Sequence, residues 1–373
     1  MPDSNLTGSA SSANSLNKVH IVTSSLVPML GIESATISLA VALSSRYEVE
    51  IATLADDAPV DIGKAVNVSS WGPRVHGWKR MLTVLRAANK PQLSNASVII
   101  LSGVWAAIPF LILARSETLK KTVVWEHSFD ASKVQNDKAL LILRYAARLL
   151  YRRASYLVAV SPSLKRDMLE AGFKQPIDVI PNLIRLPDEE TNEPMIPGRL
   201  VSIGRLVAIK NYPLALEALA RLPAKFTLDI LGDGPEREAL ERLASDLALA
   251  DRVTFHGHVE DISRYLSRSQ ILLHPSLGET FGLVLYEAAQ MRRPVVAVNC
   301  SVMTEIVPGD VPGLLSEATP EGLSSCIEWL ASHPVSDEEF ERASVRRNTN
   351  SVTTLERWNS VLSRVSEGAE NAS

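Results

Sequence analysis

The chain has only two cysteines, Cys300 and Cys326, and their separation has no metal-ligand spacing. This scarcity excludes a disulfide scaffold and is typical of a protein in a reducing cytosol. No run reaches the roughly 18 consecutive apolar residues that a membrane-spanning helix requires. The formal net charge is only −4, so nothing favours nucleic acid as a partner and any basic function must be local.

The first 17 residues lack both the basic start and the apolar stretch of a signal peptide. They are rich in serine and asparagine, and we predict that residues 1–17 form a disordered tail. A cytoplasmic location is expected from these absences.

Length and composition predict two globular domains. The 373 residues exceed what one core usually organises, and the 46% hydrophobic and 21% charged residues are ordinary values for a folded protein. The segment from Leu186 to Gly198 has three prolines and four acidic residues and no periodic pattern. We therefore predict domains over 18–187 and 195–349, and a C-terminal helix over 350–373 that returns towards the first domain.

Short apolar runs alternate with helical patterns in both halves of the chain. Ser97–Leu101, Thr122–Trp125 and Tyr156–Val160 are near-continuously apolar, as strands covered on both faces are. The alternation predicts an α/β architecture with two doubly wound parallel sheets, which face each other across a cleft at the carboxyl ends of their strands.

One stretch, His274–Glu287, combines a strand end, a turn with two glycines and a helix start. Amide groups at a helix start have no partner within the helix and bind anions well. Glu279 lies in the turn and Glu287 about one turn inside the helix. The stretch predicts an anion-binding site bracketed by two carboxylates.

A second stretch, Gly204–Asn211, also follows a strand and precedes a helix. Arg205 and Lys210 can converge there on phosphate oxygens, one as a planar fork and one as a movable charge. Alone they would be read as solvated loop residues. Beside the two carboxylates on a neighbouring loop, a ligand site is the better interpretation.

These stretches, together with Gly232-Asp233-Gly234-Pro235, Val160-Ser161 and Ile180-Pro181-Asn182, occur in an order that resembles one family. The chain is similar to the retaining glycosyltransferases of the GT-B fold, the nucleotide-sugar-dependent group 1 enzymes also called family four. The resemblance covers roughly residue 18 to the C-terminus. It implies transfer of a sugar with retention at the anomeric carbon, by front-side attack and without a nucleophilic residue.

The resemblance also implies roles for individual residues. Arg205 and Lys210 would bind the diphosphate and neutralise the leaving group, so that no metal and no cofactor is required. Glu287 would accept hydrogen bonds from the ribose, Glu279 would lie beside the donor sugar and Val259 beside the base. The remaining donor contacts would come from the amide groups of Phe281, Gly282 and Leu283.

In the first half, His127 matches a family histidine that contacts the donor sugar near the reacting centre. Glu126 would orient it or bind the acceptor. Gly31 matches a glycine that approaches the diphosphate, although Leu30 replaces the glycine that usually precedes it. Glu305 matches another acidic position of the family, although Cys300 and Ser301 replace the usual glycines; capping or a surface role is the alternative.

The acceptor is expected to be a polysaccharide precursor or a lipid-linked glycan. The amphipathic segment Lys138–Arg153 carries Arg144, Arg148 and Arg152 on one stripe, and Trp78–Met81 adds aromatic and basic groups. Such surfaces suit an anionic membrane face, which would make the protein peripheral on the inner membrane face. A core-packed helix with a solvated basic edge is the alternative.

Two other functions remain open at this point. A glycosidase acid/base pair at Glu279 and Glu287 is rejected, because it would give no reason for Arg205 and Lys210. A nucleotide-sugar epimerase of the same fold would turn over the sugar nucleotide without an acceptor. A non-catalytic sugar-nucleotide-binding protein is favoured only by the departures at Leu30 and Cys300.

Overall fold

The computed structural model describes residues 17–26, 31–54, 62, 65–71, 93, 95–128, 138–184, 193–259, 261–300 and 302–371. The expected tail before residue 17, Leu30 and the Trp78–Met81 segment lie outside these residues. In the described part of the chain, no helix is both long and apolar enough to cross a bilayer.

The first domain is built on a seven-stranded sheet in which every strand pair is parallel. In space the strands run β3-β2-β1-β4-β5-β6-β7. The order reverses between β1 and β4, which is where ligands bind in open α/β sheets. The strands are Lys18–Thr23 (β1), Glu48–Thr53 (β2), Val66–Ser70 (β3), Val98–Ser102 (β4), Thr122–Glu126 (β5), Tyr156–Ala159 (β6) and Asp178–Val179 (β7).

Helices cover both faces of this sheet, and its central strands are buried along their whole length. All five residues of β4 and all five of β5 are buried. Ser161 caps the helix that follows β6, because its side chain accepts a hydrogen bond from the Leu164 amide at 3.1 Å. The described helices are Gly31–Leu43 (α1), Val104–Leu113 (α2), Ser116–Lys120 (α3), Lys138–Leu150 (α4) and Pro162–Glu170 (α5), with a 3-10 turn at Tyr151–Arg153.

The second domain repeats the plan with a six-stranded parallel sheet in the order β10-β9-β8-β11-β12-β13. Its order reverses between β8 and β11. The strands are Arg199–Ile203 (β8), Thr227–Leu231 (β9), Val253–Gly257 (β10), Ile271–His274 (β11), Val295–Val298 (β12) and Gly313–Ser316 (β13). The helices are Tyr212–Arg221 (α6), Arg237–Asp246 (α7), Ser263–Arg268 (α8), Leu283–Gln290 (α9), Met303–Ile306 (α10), Pro320–Ser332 (α11) and Asp337–Glu370 (α12). Two doubly wound domains were predicted, and this fold class is confirmed.

The last helix, α12, joins the two domains. It starts with a capping box at Ser336 in the second domain and ends against the first. There the Trp358 ring meets the Trp125 ring edge-on at 5.3 Å, and Arg364 donates to the Tyr156 hydroxyl at 2.9 Å. The helix runs without a break through residue 349, where we expected one domain to end and a separate helix to begin. Continuous i to i−4 hydrogen bonding carries the chain across the domain junction as one rod.

Candidate functional site

A cavity of about 490 Å³ lies between the two domains, at the carboxyl ends of their strands. Both places where the strand order reverses open onto it, so residues that follow β1, β5, β8 and β11 come together. The lining residues are Gly31, Ile32, Ser34, His127, Ser128, Asn182, Ile203, Gly204, Arg205, Val207, Ile209, Lys210, Ile262, Glu279, Thr280, Phe281, Gly282, Leu283, Val284 and Glu287.

The start of α9 forms one wall of the cavity. Gly282 precedes the helix with φ 76° and ψ 50°, a left-handed conformation that suits glycine. Because Gly282 has no side chain, the first amide groups of the helix face the cavity directly. A Cβ on Gly31, at the start of α1, would lie 3.8 Å from the Leu283 side chain, so the two helix starts meet across the cleft.

Glu287 lines the cavity one turn into α9. Burial raises the pKa of its carboxyl group to about 7. This carboxyl group therefore changes charge near neutral pH, unlike an ordinary glutamate.

Lys210, Glu279 and His274 form a hydrogen-bonded cluster at the edge of the cavity. Glu279 Oε1 accepts from the Lys210 ammonium, and it lies 3.0 Å from His274 Nε2. Burial alone would raise the pKa of Glu279, but the Lys210 charge and the hydrogen bond from His274 outweigh it and hold that pKa at about 2. Burial lowers the pKa of His274 more than Glu279 raises it. The cluster thus contains one carboxylate, one ammonium and one neutral imidazole.

Arg205 is the exposed cation of the cavity wall. Among the described residues its side chain has no hydrogen-bond or ion-pair partner, which leaves the guanidinium available to an anion. Its loop is held from behind by the turn at Gly232–Pro235. The Leu206 amide donates to the Asp233 carbonyl at 3.0 Å, and a Cβ on Gly232 would clash with the Gly204 carbonyl oxygen. The glycine turn therefore fixes the loop that carries the arginine.

His127 enters the cavity from the opposite domain, directly after β5. His127 Nε2 lies 3.2 Å from Ser102 Oγ, and Ser102 Oγ lies 2.8 Å from Thr36 Oγ1. The centre of the imidazole ring lies 4.2 Å from that of the Trp125 ring. Burial lowers the pKa of His127 to about 3, so the imidazole is neutral. A neutral ring held in this way can exchange hydrogen bonds with a sugar hydroxyl.

Two family models match the chain, one for each domain. The model described as "Glycosyltransferase Family 4" matches residues 30–186, and the model described as "Glycosyl transferases group 1" matches residues 197–333. Together they span most of the sequence. The chain belongs to the group 1 glycosyltransferases. It is therefore an enzyme that transfers sugars.

Individual relatives agree with this assignment. The lipopolysaccharide core biosynthesis glycosyltransferase LpsE of Rhizobium meliloti is 27% identical over 69% of this chain and 77% of its own length. A Mycobacterium tuberculosis enzyme named GDP-mannose-dependent alpha-(1-6)-phosphatidylinositol dimannoside mannosyltransferase is 31% identical over 41% of this chain and 40% of its own.

Solved structures share the GT-B fold. HepE of Anabaena, crystallised with UDP, has a TM-score of 0.73 and 20% identity, covering 93% of this chain and 100% of its own. The lipopolysaccharide biosynthesis glycosyltransferase WaaG has a TM-score of 0.70 and 17% identity, covering 92% of this chain and 99% of its own.

Nine of the predicted site residues line the cavity of this glycosyltransferase, and three do not. The nine are Gly31, His127, Arg205, Lys210, Glu279, Phe281, Gly282, Leu283 and Glu287. Val259 is half-buried against the core and is not one of the residues that line the cavity. Its expected contact with the base stays a prediction.

Glu126 does not face the cavity, so the suggestion that it binds the acceptor is wrong. Its carboxylate is fully buried and accepts from the backbone amides of His127 and Ser128 and from the Tyr151 hydroxyl. Because strand residues alternate in direction, the neighbour of an inward-facing histidine points away from it. The other suggestion, that Glu126 orients His127, agrees with these contacts.

Glu305 makes a contact between the domains and does not line the cavity. Its Oε1 accepts from Ser163 Oγ at 2.7 Å and from Arg166 Nη2 at 2.9 Å, both on α5 of the first domain. An acidic residue at the start of the short helix α10 therefore bridges the cleft.

Sequence reasoning assigned no role to Ser128, Asn182 or Thr280, which also line the cavity. Each follows a predicted strand or lies in a quoted motif, so position at a strand end was the available signal. In the described part of the glycosyltransferase, no group of three or more His, Cys, Asp or Glu side chains is arranged to hold a metal ion.

Proposed function

We propose that this glycosyltransferase moves a sugar from a nucleotide-diphosphate sugar to a hydroxyl group of a glycan precursor, with retention at the anomeric carbon. The observation that carries the proposal is the arrangement of the cavity: Arg205 and Lys210 on one wall face His127 on the other. A diphosphate held by the two cations would place the attached sugar towards the neutral histidine.

In this mechanism the cationic side chains supply the charge that bond cleavage requires. Arg205 and Lys210 would neutralise the departing diphosphate, as a metal ion does in other enzymes. Glu287 would accept hydrogen bonds from the ribose hydroxyls. Glu279 is already engaged by Lys210 and His274, which supports a positioning role and not that of a covalent nucleophile.

The names of relatives support the proposed donor and acceptor classes. HepE structures are described in complex with UDP and with UDP-glucose, and LpsE is named for lipopolysaccharide core biosynthesis. We therefore propose a nucleotide-diphosphate sugar as donor and a polysaccharide precursor or lipid-linked glycan, such as a lipopolysaccharide core, as acceptor. The reaction would take place in the cytoplasm.

A membrane-bound acceptor is supported by the outer surface of the first domain. Helix α4 exposes Ile142, Tyr145 and Leu149, which lie on one side of a helix, with 71%, 58% and 45% exposure. The neighbouring helix α2 exposes Trp105 by 59%, together with Ile112 and Leu113. Arginines of the α4 segment accompany the apolar side chains, and Arg148 lies 5.0 Å from the Tyr145 ring. This combination suits peripheral binding to the anionic inner face of a membrane.

A donor panel tests the proposal. UDP-glucose, UDP-galactose, UDP-N-acetylglucosamine, GDP-mannose and ADP-glucose are added separately to the full chain, and the melting temperature is measured. A donor at a hundred times its Kd stabilises the fold by about 2.7 kcal/mol, a clear rise in melting temperature. Donor hydrolysis is then followed by proton NMR, with and without EDTA.

We expect slow donor hydrolysis that continues in the presence of EDTA. The first sugar anomer to appear should have the same anomeric configuration as the donor. Release of the opposite anomer would contradict retention, and complete loss in EDTA would contradict metal independence. Conversion of the donor to an epimer without hydrolysis would favour the epimerase alternative.

A further inference from the structure

The carboxylate of Glu126 holds the backbone that carries the cavity-facing histidine. Its Oε1 accepts from the His127 amide at 3.0 Å and from the Ser128 amide at 2.9 Å. Both His127 and Ser128 line the cavity. One carboxylate oxygen therefore fixes the direction in which the chain leaves β5.

The other oxygen of Glu126 is held by Tyr151. The Tyr151 hydroxyl donates to Glu126 Oε2, and both side chains are almost completely buried. Burial raises the pKa of Glu126, and the hydrogen bonds from Tyr151, Ser128 and His127 oppose that rise. Without the hydroxyl, a buried carboxylate oxygen would lose its donor.

Tyr151 is itself fixed by its surroundings. It begins the 3-10 turn that follows α4, and its ring packs at 5.7 Å against Phe173. The adjacent Arg153 donates to the Ile112 carbonyl at 2.9 Å, which ties the turn to the end of α2. The hydroxyl thus comes from a well-anchored element outside the sheet.

We propose that Tyr151 and Glu126 are positioning residues for sugar transfer, which act together by holding His127 and Ser128 at the donor sugar. This inference rests on the proposed reaction at the cleft. Neither side chain touches the cavity, so both act only through the backbone that they hold. A misplacement of about 1 Å at a reacting group can cost roughly a hundredfold in rate.

The substitution Tyr151→Phe tests the roles of Tyr151 and Glu126, because it removes only the hydroxyl oxygen that donates to the carboxylate. The matched control is Tyr156→Phe, because the Tyr156 hydroxyl also bonds a carboxylate, Asp178, at 2.6 Å. Tyr156 begins β6, whereas the cavity lies at the other end of the strands. Hydrolysis of UDP-glucose and, in parallel, GDP-mannose is measured with the full chain.

In Tyr151→Phe we expect kcat to fall by roughly tenfold to a hundredfold, while KM for the donor stays near the wild-type value. The KM is expected to hold because the proposed charged diphosphate contacts, Arg205 and Lys210, and the proposed ribose contact, Glu287, lie in the other domain. Tyr156→Phe should retain the wild-type kcat. A wild-type kcat in Tyr151→Phe, or an equal loss in both variants, would overturn the positioning role.

A second pair of variants guards against misfolding. Glu126→Gln keeps an oxygen that can accept from the two amides, whereas Glu126→Ala removes it. We expect Glu126→Gln to retain most of the kcat that Glu126→Ala loses. If both variants lose kcat to the same extent while their melting temperatures are equal, the proposal is contradicted.

A spectroscopic measurement does not depend on turnover. In protein labelled with ¹⁵N-histidine, the His127 backbone amide resonance is assigned by its disappearance in His127→Gln. Tyr151→Phe should shift this resonance, and Tyr156→Phe should not. An unshifted resonance in Tyr151→Phe would refute the link. If wild type cleaves no donor while the resonance shifts, the proposed function fails and the link stands.

Discussion

The Lys210 ammonium is bound to the Glu279 carboxylate inside the cavity, and His274 donates to the same carboxylate oxygen at a distance of 3.0 Å. Lys210 is therefore held in place before any donor arrives. A diphosphate that binds here meets a lysine whose position is fixed by a carboxylate with a pKa of about 2. Preorganised charge of this kind needs little rearrangement during bond cleavage.

Replacing Lys210 by alanine should lower the rate of donor hydrolysis strongly. Loss of one preorganised cation or hydrogen-bond donor typically costs about 10²- to 10³-fold in kcat. The melting temperature should fall modestly, because the buried Glu279 loses its main stabilising charge. Lys225→Ala is the control, since Lys225 lies over the Phe226 ring outside the cavity. A wild-type rate in Lys210→Ala would contradict the diphosphate role.

Arg205→Ala should reduce activity without reducing stability. The guanidinium is exposed and has no side-chain partner among the described residues, so its removal leaves no buried group unsatisfied. We expect kcat/KM for the donor to fall by roughly a hundredfold while thermal melting is unchanged. Arg242→Ala removes another exposed arginine, on α7 and outside the cavity, and should change neither quantity. A Tm loss with wild-type kcat/KM would show that Arg205 serves the fold instead.

Donor affinity should rise with pH around neutrality because of Glu287. Burial raises the pKa of this group to about 7, so it is protonated below that pH and ionised above it. An ionised carboxylate accepts hydrogen bonds from ribose hydroxyls more strongly than a neutral one. The other cavity groups do not interfere, because the pKa values of Glu279 and His127 are about 2 and 3 and that of His274 is lowered.

Calorimetric titration of UDP-glucose checks this at about pH 6 and about pH 8, on either side of the shifted pKa. Wild type should bind more tightly at the higher pH, and Glu287→Gln should show little difference. Tighter binding at the lower pH would contradict the ribose role.

The protein should float with anionic liposomes at low salt, bound through the exposed surface of its first domain. Trp105→Ser combined with Tyr145→Ser should weaken flotation, because both rings lie on the exposed apolar surface. Trp329→Ser is the control: this ring is 51% exposed in the other domain, stacked on His333. High salt should reduce binding, since the arginines contribute through screened charge. If the wild-type protein stays in the unbound fraction, the proposal of membrane binding is wrong.

The fold and most of the cavity could be predicted because their signals are local. Apolar runs of strand length identified β4, β5 and β6, and glycines identified the turns that follow the strands of the second domain. Carboxyl ends of parallel strands share one edge, so Arg205 and Glu279 were expected to meet although they are distant in sequence.

Signals of other kinds were missed. Strand β3 contains Val66 and Val68 among polar residues and lies at the sheet edge, where one side is solvated, so its pattern resembles a loop. Tyr151, which donates to Glu126, lies on a 3-10 turn, and Ser163 and Arg166, which donate to Glu305, lie on a helix of the other domain. A hydrogen bond between residues that are distant in the chain leaves no periodic pattern in the sequence, so only the folded structure could reveal it.

The packing of α12 on the first domain also has a consequence for how the protein is made. Trp358 is fully buried against Trp125, whose ring supports His127. On the ribosome, the first domain emerges before the second has been translated, and Trp358 follows after both sheets. Nascent chains must therefore keep an apolar surface beside Trp125 uncovered until then. Packing behind the cavity-facing His127 is thus completed only after the second domain has been translated.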